Sequence, residues 1–148
     1  MFLQNAVADA LNNTEWAFPL AECFHIGGFA IAIGSIVLVD LRMLNLVFRK
    51  STAARLLRYT EPWTLIALVF VLFSGATLFL SQTFVYIPNW VFRTKMVVLV
   101  IAIIYNFSIH RMVASSEKPS PGLSKLVAGL SLVLWVSIVY GGIFIAFV

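Results

Sequence analysis

Cysteine, histidine and acidic residues are all scarce in this chain, and each scarcity removes a class of chemistry. The single cysteine, Cys23, cannot close an internal disulfide or build a thiolate metal cluster. Six Asp and Glu in 148 residues, with all charged residues at 11%, are too few to coat a water-soluble domain, in which about a quarter of residues are charged. The ten basic residues give a net charge of +4, yet they are not gathered into a groove-binding patch, so nucleic acid is not an expected partner. Four methionines, none clustered, do not make the methionine-rich motif of a copper pathway. Only His25 and His110 are available as imidazole ligands or proton carriers.

What fills the chain is apolar. Hydrophobic residues make up 61% and the mean hydropathy is +1.00. Four stretches approach or exceed the roughly 20 apolar residues that cross about 30 Å of hydrocarbon. They run from Phe18 to Leu41, Trp63 to Leu80, Met96 to Ile109 and Leu123 to Val148. With flanking residues they predict spans at about 17–42, 62–82, 93–112 and 123–148 of one membrane domain, 1–148. Short connections between alternating spans predict an all-α integral membrane fold, an antiparallel four-transmembrane-helix bundle. Little is left for a soluble catalytic domain, so the chain is not expected to be an enzyme on its own.

Charge sets the expected orientation. Arg42, Arg49, Lys50, Arg55 and Arg58 fall between the first two spans, and Arg111, Lys118 and Lys125 between the last two. Only Arg93 and Lys95 belong to the other side, so the positive-inside rule puts both termini outside. Met1 to Thr14 lacks the basic start and continuous apolar core of a signal peptide, and the first span is expected to be retained. Phe2, Leu3, Ala6, Val7, Ala10 and Leu11 recur at helical spacing opposite Gln4, Asn5, Asp9 and Asn12, which predicts a short interfacial helix at 2–13.

Local signals divide the rest. Thr60-Glu61-Pro62-Trp63 reads as a helix start, with a hydroxyl cap, an acid at the positive dipole end and an early proline. Pro88 and Asn89 break the helix before the third span. Gly28, Ala32 and Ser35 share one face of the first span, where small side chains let a neighbour approach. The fourth span, uncharged from Leu126 onward, reads as a packing helix rather than a chemical one.

Each histidine has a polar residue about one turn before it: Glu22 before His25, and Asn106 before His110. Topology puts the two near opposite faces. His25 lies in the outer half of the first span, and Asp40 and Arg42 mark that span's inner end, roughly 22 Å further at 1.5 Å per residue. His110 lies at the inner end of the third span. One haem iron cannot bind both imidazoles across that depth. Each histidine could still ligate separately, so a b-type haem or copper stays among the cofactors to consider. Glu22 and His25 also have the Glu-x-x-His spacing of di-metal carboxylate bundles and are the candidate metal ligands, but no other span supplies a second such pair.

Two candidate clusters result. The outer one holds Glu22, His25, Arg93 and Lys95, with Glu22 expected to face Lys95 or Arg93 and His25 to be bonded nearby, as a structural pair or a proton relay. The inner one holds Asp40, Arg42, Glu61, Asn106, His110 and Arg111 at headgroup level, where solvated or anchoring roles are expected, with Asn106 deeper, one turn above His110, able to hydrogen-bond across helices and set ring orientation. Asp40 and Arg42 are two apart and do not face each other on a helix, so each should seek a partner elsewhere.

The run Trp16-Ala-Phe-Pro19, Glu22, His25, Gly28 and Gly34, then Val39-Asp-Leu-Arg-Met-Leu44, Asn89-Trp-Val-Phe-Arg-Thr-Lys95 and Asn106 to His110, resembles an uncharacterised bacterial four-helix membrane family (DUF6644-like). The likeness covers most of the chain and implies a bacterial inner-membrane location, with no established activity. A looser likeness extends to copper-resistance D-type and cytochrome b561-type membrane modules, although the four histidines that two b561-type haems need are not here. The leading expectation is a small inner-membrane subunit or partner in a redox- or metal-linked process, with the Glu22/His25/Lys95 cluster as proton relay or cofactor contact. Its contacts would be the bilayer and other membrane subunits or further copies of itself. The alternatives are a non-catalytic structural or assembly subunit and, third, a minimal proton or metal transporter, which the lack of an internal repeat disfavours.

Overall fold

The computed structural model describes residues 2–147, and every regular element among them is helical. Val148 of the last expected span and the side chains of Phe2, Leu3, Gln4, Asn5 and Asn12 in the first helix lie outside the described residues. In chain order the helices are α1 (Phe2–Asn12), α2 (Ala17–Met43), α3 (Ala53–Ser81), the single turn α4 (Thr83–Tyr86) and α5 (Trp90–Tyr105). A π-helical turn, Asn106–His110, then leads into α6 (Arg111–Ala114), and α7 (Pro121–Phe144) ends in a 3₁₀ turn, Ile145–Phe147. Four helical stretches are long and apolar enough to cross a membrane: Ala17–Met43, Ala53–Ser81, Trp90–Ala114 and Pro121–Phe147.

The helix boundaries follow from local chemistry. Asn89 caps α5, its side-chain oxygen accepting from the Phe92 N–H at 3.0 Å, and its amide donates to the Ile145 carbonyl at 3.1 Å. One buried asparagine therefore both starts the third span and ties it to the end of the fourth. Pro121 opens α7, where a missing N–H breaks no bond.

The second span differs from the sequence expectation. It starts at Ala53, not near Pro62, because Thr52 caps it by accepting from the Arg55 N–H at 3.2 Å. Ala53 to Arg58 are mostly good helix formers, and they bring Leu56 and Leu57 against the core. Pro62 is carried inside the helix. The carbonyl it leaves unpaired, on Arg58, belongs to an exposed residue.

Glycines set the closest approach of α2 to α3. A Cβ on Gly28 would lie 3.0 Å from the side chains of Phe70 and Val71, and one on Gly75 would lie 3.0 Å from the His25 ring. Numbers rise along α2 as they fall along α3. The same holds for α5 and α7, where Lys95 lies against Gly141 and Gly142 while Tyr105 donates to the Val127 carbonyl at 3.0 Å. The core has two layers. One is built on Ala32, Ile36, Leu99, Ala102, Trp135 and Ile138, the other on Val39, Met43, Tyr105, Val113, Val127 and Ala128.

Outside that narrow core the bundle is apolar to its surface. Phe73 is 74% exposed and Val69 68%. Helices hydrophobic all round suit a lipid solvent, where outward Leu, Val and Phe are no liability. α1 packs on α3 and α2, with Val7 and Leu11 half-buried and Asp9 exposed.

Candidate functional site

The deepest polar groups lie near the basic end of the bundle. Asp40 sits on α2 one turn before its end and is 0% exposed. His110 Nε2 donates to Asp40 Oδ1 at 2.6 Å, and Ser131 Oγ donates to Asp40 Oδ2 at 2.8 Å. Three separate spans thus supply one carboxylate and its two donors. The bonds are obligatory: a carboxylate removed from water and left unpaired costs several kcal/mol. A bond from a charged or potentially charged partner is the stronger kind.

Backbone geometry aims the histidine. The Arg111 N–H reaches back five residues to the Asn106 carbonyl, which widens the turn by one residue. A seam through Leu99, Ala102 and Asn106 could continue at either residue 109 or 110. After the wide turn Ile109 is left 46% exposed and His110 is 1% exposed. Single π turns of this kind recur at functional sites.

Not every polar atom here has a partner. His110 Nδ1, Asn106 Oδ1, Trp135 Nε1 and Ser124 Oγ are buried without a hydrogen bond. Asn106 and His110 line a cavity of about 10 Å³, the room a single water needs, together with Ser35, Thr60, Glu61 and Thr64. At its edge Glu61 Oε1 pairs with Arg111 Nε at 2.6 Å, the arginine side chain being 56% exposed and the glutamate 20%. Arg42 is engaged elsewhere, donating to the Ser51 carbonyl and to Asn45 Oδ1 in the loop after α2. That loop turns through left-handed backbone at Asn45 and Phe48.

Several sequence expectations for this end change. Asp40 and His110 are buried rather than solvated at headgroup level, because α7 closes over them. The fourth span is not packing alone, since Ser131 binds the carboxylate and Trp135, one turn on, is 1% exposed in the core. Asn106 makes no hydrogen bond to His110 among the described residues; the ring is oriented from the opposite side, by Asp40.

The outer residues are arranged more loosely. His25 Nδ1 and Ser74 Oγ are 2.9 Å apart, and because Ser74 already donates to the Val71 carbonyl at 3.2 Å, the imidazole N–H is the donor. The ring stacks on Phe29 at 6.3 Å between centroids, and Phe29 in turn meets Trp135 edge-on. Lys95, half-buried, acts on His25 through its charge. Glu22 and Arg93 are exposed. No ion pair joins Glu22 to Arg93 or Lys95 among the described residues: Glu22 is exposed, while Lys95 is drawn in against Gly141 and Gly142. Glu22 acts instead on Tyr86 of α4: burial, and then the charge of Glu22, push that phenol above its ordinary value.

No group of three or more His, Cys, Asp or Glu able to hold a metal occurs among the described residues. His25 and His110 have different partners, and His110 meets α2 at Asp40, fifteen positions beyond His25. These residues do not form a ready ligand set for haem or copper. An apolar groove of about 420 Å³ between α2 and α3, lined by Cys23, Gly27, Ile31, Trp63 and Phe70, offers surface without chemistry.

The family model for a family of unknown function (DUF6644) matches residues 16–148. The chain belongs to that family. No curated protein and no solved structure matches it. The DUF6644 match takes in both polar clusters and leaves α1 ahead of it.

Proposed function

We propose that this DUF6644 member is an antiparallel multi-pass protein of the bacterial inner membrane, both termini outside, whose Asp40–His110–Ser131 centre holds and passes a proton. It acts as a subunit or partner in a larger redox- or metal-linked membrane process, and is not an enzyme alone. The basic loops after α2 and α6 and the opposed contact order of neighbouring helices support the topology. One observation carries the proton-holding role: a fully buried carboxylate 2.6 Å from a fully buried imidazole whose second nitrogen has no partner. Buried ionisable groups in a span are expensive and mark proton relays and ion paths. Histidine beside a carboxylate is the pair that changes charge near neutral pH. His25, which bonds Ser74 and feels the charge of Lys95, is a secondary site.

The test is nitrogen NMR of the His110 ring in the full chain in lipid nanodiscs, with Asp40→Asn alongside. A ring that exchanges between charged and neutral forms in the native chain, in a balance that the variant shifts, supports the proposal; a ring fixed in one state rejects it. A second reading, a structural pair that only locks helix packing, draws on the fact that both Asp40 oxygens are already taken by other helices. A fixed ring combined with unfolding of Asp40→Asn supports that reading.

A further inference from the structure

The cavity beside His110 has the polar walls of a binding site. Two of its buried polar residues, His110 at 1% and Asn106 at 6% exposure, each bring a buried atom that nothing else satisfies. A dry void of this size would be apolar. The threonines on its α3 wall have spent their protons: Thr60 Oγ1 donates to the Leu56 carbonyl at 3.1 Å and Thr64 Oγ1 to the Thr60 carbonyl at 3.1 Å. Their oxygens keep free lone pairs, so this wall can only accept. Asn106 Oδ1 can only accept as well. A ligand must therefore donate to these groups and be able both to donate to and accept from an imidazole nitrogen. At about 10 Å³ only a water molecule meets that description.

We infer that the cavity is a binding site for one water, held by His110 Nδ1 and Asn106 Oδ1, and that Glu61 connects this water to the basic end of the bundle. The inference deepens the proton-holding role and rests on it for its purpose, though not for the existence of the site. The charged and titratable groups around His110 are Asp40 from α2, Glu61 from α3 and Arg111 from α6. With His110 as imidazolium, Nε2–H stays on Asp40 and Nδ1–H donates to the water. The water accepts that proton as it hands one of its own to the Glu61 carboxylate. His110 is left neutral with its proton on Nε2, the water is restored, and Glu61 becomes a carboxylic acid. Its attraction to Arg111 falls, and it releases the proton to solvent at the exposed guanidinium. One proton moves and no bond between heavy atoms changes.

The test uses the labelled full chain in nanodiscs and transfers magnetisation from water to side chains by solid-state NMR. Transfer to the His110 ring well above that to the methyls of Ile138, a residue 0% exposed in the core, is the expected result. Transfer to His110 no greater than to Ile138 overturns the water site. Glu61→Gln, close in shape to the native side chain, should slow exchange of the His110 ring proton with solvent by about a hundredfold, the low end of what a positioned acid or base contributes. An unchanged rate overturns the Glu61 link. The two claims part cleanly: strong water transfer to a ring that never changes protonation state keeps the water site and removes the proton-holding role.

Discussion

The two ends of the bundle begin from the same sequence pattern and end as different structures. At each, a polar residue stands one turn before a histidine, Glu22 before His25 and Asn106 before His110. In neither does that residue bind the histidine among the described residues. His25 bonds Ser74 and His110 bonds Asp40, each on a different helix. The ends differ in depth. At the His25 end Glu22 and Arg93 reach the surface and need no protein partner, as exposed charges gain little from pairing. At the basic end Asp40 is fully buried, and both of its oxygens are filled from other spans. Burial, more than spacing, decides which polar groups must pair.

Mutations should reveal that contrast as a ladder of stability effects, read by denaturant or thermal unfolding in detergent. His110→Ala leaves the Asp40 carboxylate without its strongest partner and should cost about 3–5 kcal/mol. A loss under about 1 kcal/mol would mean that water already reaches Asp40 and that the two ends are alike. Ser131→Ala removes one bond to the same carboxylate and should cost about 2 kcal/mol. His25→Ala, which gives up a neutral hydrogen bond in a half-buried position, should cost about 1 kcal/mol. If His25→Ala proves as damaging as His110→Ala, the outer end is the structural keystone and the contrast fails. The smallest effect belongs to Glu61→Gln, under about 1 kcal/mol, because its partner Arg111 is largely exposed and solvent screens the pair.

Apolar run length was enough to count the four long apolar helices. The start of α3 was not legible. Thr60-Glu61-Pro62 carries every mark of a helix N-terminus, and only the Thr52 cap two turns upstream, with an exposed carbonyl at Arg58 to absorb the proline, moves the start to Ala53. In the site, helix periodicity sends Asp40 to another helix, since Arg42 two positions on cannot face it. It does not say which helix. Ser131 is an uncharged residue in an apolar span, and its role depends on which face α7 turns inward. Ser124, Ser131, Trp135 and Ile138 lie at seven-, four- and three-residue steps, a signal that would have found that face. The π turn left no mark in composition, because it is a choice of backbone partner, yet it decides that His110 rather than Ile109 points into the core.

The protonation state of the His110 ring is the most direct measure of the proposed proton-holding role of the Asp40–His110 pair. Nitrogen NMR of the native chain in nanodiscs should show the ring exchanging between charged and neutral forms, with Asp40→Asn shifting the balance between them. A ring locked in one form in both the native chain and the variant would contradict that role.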